Sequence, residues 1–134
     1  MNVHAVTKKN CRVAVVDDDP TFGAMLEQAL NDEGFDVVGV AMNGRDAVTL
    51  ARSAKPDAIM LDVRMPILDG LSAGREIRSF DPHVRLVLLS AYDDPTLKRE
   101  AAAIEAADFL VKGCRLADLI DALLSTPPNA DEAA

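Results

Sequence analysis

Asp17, Asp18, Asp62, Ser90 and Lys112 lie far apart in the chain, yet each closes a short apolar run. Asp17 and Asp18 follow Val13-Ala14-Val15-Val16, Asp62 follows Ala58-Ile59-Met60-Leu61, Ser90 follows Leu86 to Leu89, and Lys112 follows Phe109-Leu110-Val111. Brought together, three carboxylates repel and raise one another's pKa unless a cation joins them. Oxygen donors of this kind suit Mg²⁺, which keeps several waters and takes one or two carboxylates together with phosphate oxygens. A lysine facing that metal would neutralise a transferring phosphoryl group. Asp62 is then the candidate nucleophile, since a carboxylate can form an aspartyl-phosphate, and Ser90 could hydrogen-bond an attached phosphate oxygen.

Whether these residues meet depends on the elements that carry them. Five apolar runs of strand length alternate with stretches whose apolar residues recur at helical spacing, such as Phe22, Met25, Leu26, Ala29 and Leu30. Asp19-Pro20 and Asp94-Pro95 read as helix starts, a side-chain cap followed by Pro at the first helical position, and Asp69 reads as the cap of a third helix. Strands over 12–16, 35–41, 58–62, 86–90 and 109–111 alternate with helices that begin at Pro20, Gly44, Gly70, Pro95 and Leu116. The pattern predicts an α/β domain, a flavodoxin-like doubly wound five-stranded parallel sheet of order 2-1-3-4-5 with five helices. Ligands of such sheets bind beyond the carboxyl ends of the strands, which is where all five residues fall.

Composition narrows the class. The 134 residues, 49% apolar and 27% charged, suit one soluble globular domain. The net charge of −8, from 22 acids against 14 bases, repels a phosphate backbone, so direct nucleic-acid binding is not expected. No run reaches the length of a membrane span and Met1 to Asn10 is polar and basic, so neither membrane nor secretion is expected and the cytoplasm is the default. Cys11 and Cys114 fall at opposite ends of the predicted sheet, too far apart for a disulfide. The domain is predicted over residues 11–125, with a flexible arm over 1–10 and a disordered tail over 126–134.

Val15-Val16-Asp17-Asp18-Asp19, the stretch from Pro56 to Gly70, Leu89-Ser90-Ala91 and Phe109 to Lys112 resemble the receiver domain of two-component response regulators, in a chemotaxis-regulator-like single-domain form. The resemblance covers residues 11–125. It implies that Asp62 is the phospho-acceptor, that Asp18 binds Mg²⁺ directly and Asp17 mainly through water, and that the Arg64 backbone carbonyl is a third protein ligand. It further implies that Ser90 is the switch hydroxyl, Lys112 the phosphate-contacting lysine, and Phe109 the aromatic that turns inward in the active state. The implied partners are a sensor histidine kinase or phosphotransfer protein and a downstream protein effector, with a phosphorylation-dependent homodimer as a further form of output. Self-dephosphorylation would be slow and the domain a switch, not an enzyme. The family often has Pro after the lysine where this chain has Gly113, which predicts a softer loop. Arg64 and Tyr92, two positions beyond Asp62 and Ser90, are expected to flank the phosphoryl group and lengthen its lifetime.

Three rival readings exist. A haloacid-dehalogenase-type phosphohydrolase could use Asp17-x-Asp19, Ser90 and Lys112, but it would leave Asp62 idle and lacks later acids at a strand end. A flavodoxin-like electron carrier would need a phosphate loop richer in Ser, Thr and Gly than Asp17-Asp18-Asp19-Pro20. An N-terminal receiver fragment of a larger DNA- or RNA-binding regulator would carry the same chemistry. A stand-alone receiver acting through protein contact is the expectation.

Overall fold

The computed structural model describes residues 8–124. Five strands, β1 (Arg12–Val16), β2 (Asp36–Ala41), β3 (Ala58–Asp62), β4 (Arg85–Ser90) and β5 (Asp108–Val111), form one parallel sheet of order β2-β1-β3-β4-β5. They alternate with α1 (Pro20–Asp32), α2 (Gly44–Ala54), α3 (Gly70–Phe80), α4 (Pro95–Ala103) and α5 (Leu116–Leu124). The predicted topology holds.

Period-two alternation divides the strands' side chains between two cores. Val13, Val15, Met60 and Leu89 pack with Leu26 and Leu30 of α1 and with Leu119 and Leu123 of α5. Ala14, Val16, Leu61 and Leu88 pack on the other face with Ala47 of α2, Ile77 of α3 and Ala101 of α4. Both faces of the sheet are therefore covered, as a continuous apolar strand requires.

Register decides which strand ends meet. Val16 pairs with Leu61 and Asp62 with Leu89, while Ser90 pairs with Val111. The next residue along each strand leaves the sheet at the same edge, so Asp17 emerges beside Asp62 and Lys112 emerges just past Ser90. The helix that follows Asp62 is locked close. A methyl group on Gly70 would stand 2.0 Å from the Asp62 carbonyl oxygen, and Gly70 N–H donates to the Val63 carbonyl at 2.8 Å.

Some predicted boundaries shift. Lys8–Asn10 form a 3-10 turn, and Lys8 Nζ pairs with Glu33 at 2.8 Å, so the loose arm expected over 1–10 is structured from Lys8. The rest of that arm and the tail expected over 126–134 lie outside the described residues. Helix α4 ends at Ala103, and two residues on Glu105 turns into the left-handed region at φ 57°. Both described cysteines are free.

Candidate functional site

The sharp turn out of β1 is built from its own acids. Asp19 caps α1, its carboxylate accepting from the N–H groups of Thr21 and Phe22 at 2.9 and 3.3 Å. Asp19 N–H in turn donates to Asp17 Oδ1 at 2.8 Å. With Asp19 committed to the cap, one carboxylate oxygen from each of Asp17, Asp18 and Asp62 lies within 4.8 Å of the others. Asp17 and Asp62 are 1% and 4% exposed, while Asp18 is at the surface. A phosphohydrolase using Asp17-x-Asp19 would need Asp19 in this cluster; the cap takes it elsewhere.

Lys112 closes the cluster from the far side. Its Nζ is 2.8 Å from Asp17 Oδ2 and 3.4 Å from Asp62 Oδ2, one ammonium shared by two carboxylates. Apart from that ion pair Asp17 Oδ2 is buried with no hydrogen-bond donor, alone in this among the described side-chain atoms. An all-oxygen donor set with one such orphaned atom fits a hard divalent cation.

Electrostatics agree with that reading. Burial, followed by the Asp17 charge, pushes the Asp62 pKa up to about 6, against the opposing pull of Lys112. Burial tends to lower the Lys112 pKa, but its pairing with Asp17 and Asp62 outweighs this and raises it. The cysteines take no part. Burial raises both thiol pKa values, that of Cys11 to about 11, which keeps them protonated and poor nucleophiles.

Lys112 is aimed by backbone on both sides. Its N–H donates to the Ser90 carbonyl at 2.7 Å, and Cys114 N–H donates back to the Val111 carbonyl at 3.1 Å. Residues 111–114 thus form a β-turn with Lys112 second and Gly113, at φ 99°, third. A positive φ at the third position is the type II signature and calls for Gly. Pro, fixed near −65°, has no place in this turn. Gly113 therefore supplies the positive φ that this turn needs.

Ser90 is 2% exposed, and its Oγ accepts from the Tyr92 N–H at 3.1 Å. Tyr92 itself is 69% exposed. Arg64 lines a cleft of about 450 Å³ between the β3–α3 loop, α3 and α4, with Arg75, Leu97 and Glu100 among its other walls. In that loop Leu68 N–H reaches the Pro66 carbonyl at 2.8 Å around Ile67, whose φ is 71°. A tight γ-turn of this hand is strained, and nothing in the residue types announced it. Phe109 is half-buried against the core shared by α2, α3 and α4.

Sequence reasoning missed two residues. Phe22, read as one apolar position of a helix, places its ring 4.8 Å below the Lys112 ammonium. Arg78 donates to the carbonyls of Ile104 and Glu105 at 3.0 and 3.2 Å and to Val84 at 2.6 Å. It ties α3 to the far end of α4. A lone Arg on a helix carries no sequence signal for such a role; a Phe four positions past paired acids carries a faint one.

Comparison with known proteins fits this geometry. The family described as response regulator receiver domain matches residues 13–124. The chain is 35% identical over 112 residues to the chemotaxis protein CheY of Thermotoga maritima, covering 84% of this chain and 93% of that one. It is 43% identical over 112 residues to the transcriptional regulatory protein PrrA of Mycobacterium leprae, covering 81% of this chain but 46% of PrrA. It thus spans nearly all of one relative and about half of the other. Among solved structures, the receiver domain of the response regulator NarL of Mycobacterium tuberculosis superimposes with a TM-score of 0.81 at 36% identity, covering 87% of this chain and 94% of that one. A CheX–CheY–BeF₃–Mg²⁺ complex of Borrelia burgdorferi matches with a TM-score of 0.81 at 28% identity, over 86% and 87% of the two chains. With strand order, acidic cluster and sequence in agreement, this chain belongs to the response regulator receiver domains, the phospho-accepting signalling modules of two-component systems.

Proposed function

We propose that Asp62 accepts the phosphoryl group from a phosphohistidine of a sensor kinase or phosphotransfer protein. An Asp62 carboxylate oxygen forms the new P–O bond while the P–N bond breaks and the imidazole leaves with the electron pair. The observation that carries this reading is the single Lys112 ammonium shared between Asp17 and Asp62. As the transferred group reaches Asp62, that ammonium follows the new charge, and Ser90 Oγ takes a phosphate oxygen.

Asp18 would hold Mg²⁺ directly, Asp17 mainly through water, with Asp62 and the Arg64 carbonyl completing the protein ligands. When bound, the ion supplies positive charge against the phosphoryl oxygens. The domain acts as a switch with slow self-dephosphorylation rather than as an enzyme. Phosphorylation draws Ser90 inward, Phe109 follows, and the α4–β5 surface is remodelled as a population shift.

The recipient of that surface is a downstream protein or a second copy of the chain, because a net charge of −8 repels nucleic acid. Among the described residues no helix is long and apolar enough to cross a membrane, and we place the domain with its kinase's catalytic portion in the cytoplasm. Acetyl phosphate with Mg²⁺ should modify a single site. Uptake by Asp62→Asn at the wild-type rate would refute the assignment.

A further inference from the structure

Phe22 belongs to none of the roles assigned so far, yet it completes a closed ring of contacts around the acidic cluster. Asp17 Oδ1 accepts from Asp19 N–H at 2.8 Å, and Asp19 Oδ1 accepts from Phe22 N–H at 3.3 Å. The Phe22 ring lies 4.8 Å from Lys112 Nζ, and that ammonium returns to Asp17 Oδ2 at 2.8 Å. A cation within about 6 Å of a ring centroid, over its face, is attracted by the ring quadrupole. The ring is itself held. Its backbone sits in the Asp19 cap behind Pro20, and its body packs against the core shared by α1 and α5.

We propose that Phe22 is a positioning residue for Lys112, keeping the ammonium over Asp62 while its carboxylate partners change. This rests on the assignment of Asp62 and Lys112 made above. Before phosphorylation the ammonium divides its attraction between Asp17 and Asp62. Once Asp17 Oδ2 turns from the ammonium to another cation, Lys112 loses its nearest partner and must follow the phosphoryl charge. A ring face suits that passage because its attraction is broad, so the ammonium slides across it without breaking a directed bond. A carboxylate in the same place would hold the lysine back, and an aliphatic side chain would offer no attraction. Asp19 takes part indirectly, by fixing where the first turn of α1 puts the ring.

The test uses the full chain and two probes, Mg²⁺ alone and beryllofluoride with Mg²⁺. Phe22→Leu is expected to weaken beryllofluoride binding about two- to five-fold and to change the affinity for Mg²⁺ alone by less, since Lys112 meets the ion only through their shared partner Asp17. Phe22→Tyr, which keeps the ring, is expected to bind beryllofluoride as wild type does. NMR of the apo chain should show Lys112 methylene protons shifted upfield by the ring in wild type and Phe22→Tyr, and not in Phe22→Leu. Wild-type beryllofluoride binding by Phe22→Leu, an equal loss for both probes, or a failed rescue by Tyr overturns the proposal. A wild-type chain that binds no beryllofluoride overturns the Asp62 assignment instead, and the upfield shift then decides the Lys112–Phe22 contact by itself.

Discussion

Replacing the acceptor should make the metal-free domain more stable. Asp62 is buried beside Asp17, and its pKa stands near 6 against an ordinary 3.8. An acid whose pKa rises on folding costs stability once the pH exceeds the folded value, because the folded chain must then hold a charge it disfavours. The cost is absent below about pH 4, where the group is protonated in both states, grows through the window from about 4 to 6, and is complete above it. A rise of about two units corresponds to about 3 kcal/mol at about 1.36 kcal/mol per unit. Lys112 and Asp17 readjust when the charge disappears, which reduces the gain to about 1–3 kcal/mol. Asp62→Asn should therefore melt higher than wild type at pH 7.5 in EDTA, by about 3–9 °C for a domain of this size. The gap should close as the pH falls to about 4. Adding Mg²⁺ should stabilise wild type by mass action and the Asn variant far less. Thermal melts over a pH series, with and without the ion, measure all of this. An Asn variant no more stable than wild type at pH 7.5, or a gap as large at pH 4, would refute the electrostatic reasoning.

Three further outcomes are expected. Gly113→Ala places a Cβ in the left-handed region and should cost about 1–2 kcal/mol, and by tilting the turn that aims Lys112 it should slow acetyl phosphate uptake. Both effects are read by chemical melts and by phosphorylation rate. Arg78→Met leaves the partly buried carbonyls of Val84 and Ile104 without their donor, at a cost of about 1–3 kcal/mol, and amide exchange should accelerate over residues 101–107 more than over 12–16. Arg64→Asn combined with Tyr92→Glu should shorten the life of the acyl phosphate by about ten-fold, the worth of one charge-assisted bond; decay no faster than wild type would discard that role.

Much of this protein could be read from the chain. Period-two and period-3.6 patterns, with Asp-Pro caps at Asp19-Pro20 and Asp94-Pro95, are local signals, and local signals determined the five strands, the helices and their order. Because parallel strands deliver their carboxyl ends to one edge, the sequence also told which side chains would gather there: Asp17, Asp18, Asp62 and Lys112, with Ser90 at the end of the neighbouring strand. What it could not determine depends on distances between segments remote in sequence. The separation of Asp17 from Asp19, one bound toward the cluster and the other spent on a helix cap, needed the turn's geometry. The ring of Phe22 under Lys112, and Arg78 bridging two helices, join elements whose relative placement comes from the packing of both cores. Gly113 shows the division within a single residue. Composition announced that the position is permissive, but only the folded chain decided that the permission is used, at φ 99° in a turn that aims the lysine. Side-chain identity is a local property, whereas direction and neighbourhood arise when the sheet registers and the helices close over it.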